Sequence, residues 1–170
     1  LMLLVLSATF TGNIITSFES ALAACVVLTS FIPMLSGTGG NSGSQSSVAV
    51  IRALSLDEVE FSDVLAVVWK EVRVAVLCGV CLGAANFVKM MVVDRWLMNN
   101  PEVTVPVALV VCLTLMLTVI CAKVVGCTLP MAAEKIGIAP AVMAAPFITT
   151  VVDALSLLIY FSIATCVLGI

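Results

Sequence analysis

The 170 residues carry 62% hydrophobic and only 10% charged side chains, with a net charge of −3 and a mean hydropathy of +1.28. An ordinary soluble domain carries about 25% charged residues, so the composition excludes a soluble globular domain and puts the chain in a membrane. The absence of any Lys/Arg cluster argues against nucleic acid as a partner. A helical crossing needs about 20 apolar residues, and this length allows five or six spans with short loops in one compact, all-α unit.

The chain begins at Leu1 rather than at a methionine, which reads as a piece of something longer, and no basic segment precedes the first apolar run as a signal peptide would require. Residues 1–18 fit a first transmembrane helix, followed by a short turn at Glu19. Residues 21–35 are apolar again and run into a polar stretch at 33–47, Pro-Met-Leu-Ser-Gly-Thr-Gly-Gly-Asn-Ser-Gly-Ser-Gln-Ser-Ser. Two readings of this stretch stand side by side. It is a flexible connector between helices, or it is backbone lining a watery path at membrane depth, where non-helical chain is tolerated only against protein or water. Residues 48–54 recover helical character, so the second span is expected to be broken or unusually extended, weakest at its glycines.

Residues 56–73 hold Asp57, Glu58, Glu60, Asp63, Lys70, Glu71 and Arg73 among apolar side chains, the pattern of an aqueous loop leading into an amphipathic interfacial helix. Residues 72–91 form the third span, with Gly79 and Gly83 at a spacing that allows close helix contact. Residues 94–102 are a polar turn with Trp96 as interfacial anchor. The fourth span is expected at 103–129, a short polar connection at 130–140, and the fifth span at 141–170. Arg52, Lys70, Arg73, Lys123 and Lys135 fall towards one side and Lys89 and Arg95 towards the other, a bias that places the N-terminus in the cytoplasm and the C-terminus outside.

The seven cysteines lie in or beside apolar runs and read as small core residues. Cys78 and Cys81 have C-x-x-C spacing, but no second pair accompanies them and the chain has no histidine, so a thiolate zinc site is not expected.

Asp153 is the most informative residue. An aspartate at the centre of a membrane helix costs on the order of 3 kcal/mol on insertion scales, which makes it a functional candidate facing a cavity. Thr149, Asp153 and Ser156 stand at i, i+4 and i+7 and form a polar stripe on an apolar helix. The competing reading is interhelical glue, with the carboxylate bonded to Asn41, Gln45 or a serine. Carboxylate, amide, hydroxyl and carbonyl oxygens suit Mg²⁺ or Ca²⁺ and offer nothing to soft metals. One carboxylate is too little charge for a divalent ion, and a two-fold dimer would bring a second. Glu19 is a solvated helix end or a pore-mouth residue, Glu71 is expected to pair with Arg73 or a lipid headgroup, and Lys123 is expected to snorkel to the interface.

The run from Pro33 to Ser46, with Gly37, Thr38, Gly39, Gly40, Asn41 and Gln45, together with Pro140, Ala141, Pro146, Thr149, Thr150, Asp153 and the 157–161 tail Leu-Leu-Ile-Tyr-Phe, resembles the membrane domain of the MgtE magnesium transporters. Lys70-Glu71, Gly126 and Leu129-Pro130 extend the likeness over essentially the whole chain. The resemblance implies residues 1–170 as one ion-conducting transmembrane domain, five helices per subunit in a homodimer, and a pore at the two-fold axis lined by the second and fifth helices. It implies that Asp153 meets the hydrated Mg²⁺, with Gly37, Asn41 and Thr149 around it. Family members usually add cytoplasmic N-terminal and CBS domains, which these residues lack. The family's acidic residue before Pro140 is replaced by Ala139, and Lys123 stands where a neutral residue is expected.

Three functions compete at this point. An enzyme is disfavoured because no acid–base pair or nucleophile dyad is visible. A non-transporting membrane anchor leaves the polar core without a purpose. A Mg²⁺ channel or transporter is the reading adopted, with a broader divalent transporter for Mn²⁺, Co²⁺ or Ca²⁺ as its alternative and membrane lipid and a second copy as its other partners.

Overall fold

The computed structural model describes residues 2–143 and 145–169. Six α-helices follow in order: α1 (Met2–Ser17), α2 (Glu19–Ala24), α3 (Ile32–Ser55), α4 (Val64–Lys89), α5 (Val105–Lys135) and α6 (Ala145–Leu168). Short 3₁₀ segments occupy Val26–Phe31, Phe61–Asp63 and Pro140–Met143, and a π-helical segment, Met90–Leu97, continues α4. Among the described residues there is no strand. Among the described residues three helical stretches are long and apolar enough to cross a membrane, Phe61–Leu97, Val105–Lys135 and Pro146–Leu168. α1 is not among them, and α3 has the length but not the apolarity. The structure therefore supports an all-helical membrane protein, and the expected count of five spans goes beyond it.

The second expected span breaks, but not at its glycines. The α-helical hydrogen bonding lapses at Cys25, whose φ of −143° and ψ of 80° are not helical, and the chain tightens into the 3₁₀ turn Val26–Phe31 before α3 begins with Pro33 in its first turn. Proline there loses no intrahelical bond, because the first amides have no partner in any case. The glycine-rich stretch is continuous α-helix. Tertiary packing offsets its poor propensity: Gly39, Gly40 and Gly43 are buried on one side, where small residues let helices approach closely.

α3 ends on Asp57 in the left-handed region, φ 55°, with Glu58 N–H bonded to Ala53 O at 3.0 Å and Asp57 N–H to Leu54 O at 3.1 Å. α5 ends the same way on Gly137, φ 75°, with Ile138 N–H to Ala133 O and Gly137 N–H to Glu134 O, both 2.9 Å. Both are Schellman closures, in which a left-handed residue turns the last orphan carbonyls back into use. The position of the second stop corrects the expected connection at 130–140. α5 runs through Pro130 to Lys135, so proline removes one hydrogen bond, the one to the Gly126 carbonyl, without ending the helix. The charged segment 56–73 is likewise part loop and part helix, because α4 starts at Val64.

α5 is the central element, packed against α3, α4 and α6, and Val50 and Leu54 of α3 meet Val64, Val67 and Val68 of α4 in a smaller apolar cluster over Cys127 and Met131. The main core gathers Leu28, Phe31, Leu35, Met90, Val107, Val111, Leu157, Tyr160 and Phe161 around the first half of α5 and the second half of α6. Tyr160 OH donates to the Leu28 carbonyl at 2.9 Å, which gives the buried hydroxyl a partner and ties the 3₁₀ turn to α6. Asn86 reaches Cys112 Sγ at 3.6 Å across the α4–α5 contact, where Gly79 lets Met116 come close.

Candidate functional site

The sides of α3 are chemically distinct. Gly37, Asn41 and Gln45, one turn apart, are exposed, whereas Gly39, Gly43 and Ser46 are buried. A Cβ on Gly39 would lie 2.7 Å from Thr118 Cγ2 and 2.8 Å from Val152 Cγ1, and one on Gly43 would lie 2.9 Å from Ile148 Cγ2. A Cβ on Gly40 would meet Thr149 Cγ2 at 3.1 Å, and one on Gly37 would meet nothing within 4 Å. Glycine at 39, 40 and 43 therefore draws α3 against α5 and α6, and glycine at 37 leaves space. The polar stretch is thus divided: part of it is a packing surface, and part faces a hollow.

That hollow is a recess of about 210 Å³ lined by Ser36, Gly37, Gly40, Asn41, Thr149 and Asp153. All four residues singled out from the sequence, Gly37, Asn41, Thr149 and Asp153, meet there. Ser36 was not among them; its i, i+4 relation to Gly40 is the signal that would have found it, in parallel with Gly37–Asn41 and Thr149–Asp153. Ser156, third member of the expected stripe, is buried and donates to its own Val152 carbonyl at 2.6 Å, away from the recess.

Asp153 is half-buried, and among the described residues no hydrogen bond or ion pair engages its carboxylate. The glue reading, in which Asn41 or Gln45 bonds to it, has no such contact behind it. Thr149 Oγ1 donates to Pro146 O at 3.1 Å, which leaves its lone pairs free to accept from water. The recess therefore offers one carboxylate, one side-chain amide, two hydroxyls and bare backbone. Among the described residues no three His, Cys, Asp or Glu side chains cluster, so this is a surface for a cation that keeps its waters rather than a stripped-ion cage.

A second polar constellation lies one turn beyond the glycine crossing. Lys123 Nζ on α5 is 3.0 Å from Glu71 Oε2 on α4, and Ser46 Oγ on α3 donates to the same carboxylate oxygen. The two charged side chains are only 12% and 15% exposed. This corrects two expectations, since Glu71 pairs with Lys123 rather than with Arg73 or lipid, and Lys123 does not snorkel. A charge this deep is held by a charge-assisted bond to a partner equally deep.

These features define a helical membrane protein with an acidic recess between a glycine-rich helix and an aspartate-bearing helix. Comparison with known proteins carries the class to a family: the chain belongs to the MgtE family, described as divalent cation transporters, which matches residues 32–163. It is 34% identical over 99% of its length to the magnesium transporter MgtE of Thermus thermophilus. It is 37% identical over 97% to that of Bacillus subtilis and 32% identical over 91% to that of Enterococcus faecalis. The chain spans about a third of the length of these relatives, 35%, 35% and 32% respectively.

Proposed function

We propose that residues 1–170 form the ion-conducting membrane unit of a Mg²⁺ transport protein, in which Asp153 holds the hydrated ion against Asn41, Thr149 and the open backbone at Gly37. The observation that carries this reading is the meeting of Gly37, Asn41, Thr149 and Asp153 in one recess. Three relatives named as magnesium transporters support the choice of ion.

Mg²⁺ gives up its waters reluctantly, so the carboxylate acts through the water shell and the hydroxyls and amide accept from the same waters. A single carboxylate leaves half the ion's charge unmatched. The exposed side of α3 that carries Gly37, Asn41 and Gln45 is therefore assigned to a two-fold axis, where a second copy of the chain supplies a second Asp153. In this arrangement the segments from α2 to α3 and α6 are the second and fifth of five spans and line the pore, with the N-terminus in the cytoplasm and the C-terminus outside. The test is Mg²⁺ uptake into liposomes, with Asp153→Ala as the inactive control. The printed family description, divalent cation transporters, favours a second reading in which Mn²⁺, Co²⁺ or Ca²⁺ also passes, and the same assay with each ion decides it.

A further inference from the structure

We propose that Ser46, Glu71 and Lys123 are positioning residues that set the tilt of α3, and through it the width of the recess at Gly37 and Asn41. The inference rests on the ion-conducting reading of that recess.

Glu71 is the one side chain among the described residues that is hydrogen-bonded to two other helices at once, to Lys123 on α5 and Ser46 on α3. α3 and α4 each pack mainly on α5 and share with it an apolar cluster of Val50 and Leu54 with Val64, Val67 and Val68, and Ser46–Glu71 is the only side-chain hydrogen bond between them among the described residues. Two nearly buried charges thus tie α4 to α3 about one turn from that apolar cluster. Apolar residues of similar volume would often stabilise a bundle as well as a buried pair does. What such residues would not reproduce is a fixed direction of attachment.

The pivot lies beside this junction. A Cβ on Gly126 would lie 3.1 Å from Gly43 Cα, and one on Gly43 would lie 3.1 Å from the Ala122 carbonyl, so α3 and α5 cross backbone to backbone next to Lys123. α3 is continuous from Ile32 to Ser55 and moves as a rod. Ser46 is three residues from the crossing, about 4.5 Å along the axis, and Gly37 is six residues away on the other side, about 9 Å. A shift at Ser46 is therefore doubled, with opposite sign, at Gly37. Freeing Ser46 from Glu71 changes the space at the recess by rotation about the Gly43–Gly126 crossing, with Gly39 and Gly40 shifting against Thr118, Val152 and Thr149.

Two measurements on the purified protein test this. The first is the ratio of Mg²⁺ to Ca²⁺ flux into liposomes for wild type, Ser46→Ala, Lys123→Met and the exchanged pair Glu71→Lys with Lys123→Glu. Loss of folded protein lowers both fluxes equally and leaves the ratio alone, whereas a change of width alters it. Ser46→Ala is expected to change the ratio at least threefold with the unfolding midpoint nearly unchanged, Lys123→Met at least as much, and the exchanged pair to return at least halfway to wild type. An unchanged ratio in Ser46→Ala overturns the proposal. The second is amide hydrogen exchange across residues 32–55, where Ser46→Ala is expected to exchange at least fivefold faster beyond Gly43, and unchanged exchange overturns the proposal independently of transport. If wild type carries neither ion, the transport reading fails, and the exchange measurement still decides whether Glu71 fixes α3.

Discussion

Gly43 and Gly126 bring α3 and α5 into backbone contact, with a Cβ at position 126 falling 3.1 Å from the Gly43 Cα. Backbone cannot move aside as a side-chain end can, so Gly126→Ala must separate the two helices. The expected cost is about 2–3 kcal/mol, at the upper end for overpacking a core, read as a lower unfolding midpoint in detergent. Gly37→Ala is the matched control, because nothing lies within 4 Å of its Cβ. It is expected to be neutral or to gain up to ~1 kcal/mol from helix propensity.

Gly39 separates packing from conduction. Its Cβ would strike Thr118 and Val152, so Gly39→Val should lower stability by about 1–3 kcal/mol through the α3–α5–α6 contact. Asn41→Leu, on the exposed side, should leave the unfolding midpoint within ~0.5 kcal/mol of wild type and lower Mg²⁺ flux. Equal loss of stability in both variants would contradict the division of this helix into two sides.

How much of this was legible in the sequence follows from the kind of signal each element leaves. Asp153 and the polar stretch stand out because lipid tolerates neither without a reason; helical spacing adds Thr149, the family resemblance adds Gly37 and Asn41, and these four line one recess. The location of the helix break was not legible, since propensity points to the glycines while the packing of Gly39, Gly40 and Gly43 against α5 and α6 overrides it. The break falls at Cys25, among apolar residues that carry no local mark. α5 passing through Pro130 was hidden for a similar reason, because a proline near a helix end removes only one bond. The Glu71–Lys123 pair joins positions 52 residues apart, and no local pattern connects them.

Breaking that pair leaves one charge buried without its partner. Lys123→Met or Glu71→Gln alone is expected to cost about 2–4 kcal/mol, somewhat below a fully enclosed pair. The double variant should recover part of the loss, and the difference from additivity in a thermal-unfolding cycle gives the coupling.

The Tyr160 hydroxyl is buried on the Leu28 carbonyl. Tyr160→Phe deletes the donor and with it the tie between α6 and the 3₁₀ turn, at an expected cost of about 0.5–1.5 kcal/mol. Because Leu28 lies in the 3₁₀ turn that precedes α3, hydrogen exchange should rise at residues 26–31 and not in α5.

The central claim is that Asp153 holds the hydrated ion. Mg²⁺ uptake into liposomes, measured for wild type, Asp153→Asn and Asp153→Ala at matched protein content, tests it most directly. The account predicts uptake by wild type, little by the asparagine variant and none above background by the alanine variant, with all three folded to the same degree. Uptake by Asp153→Ala equal to that of wild type would contradict it.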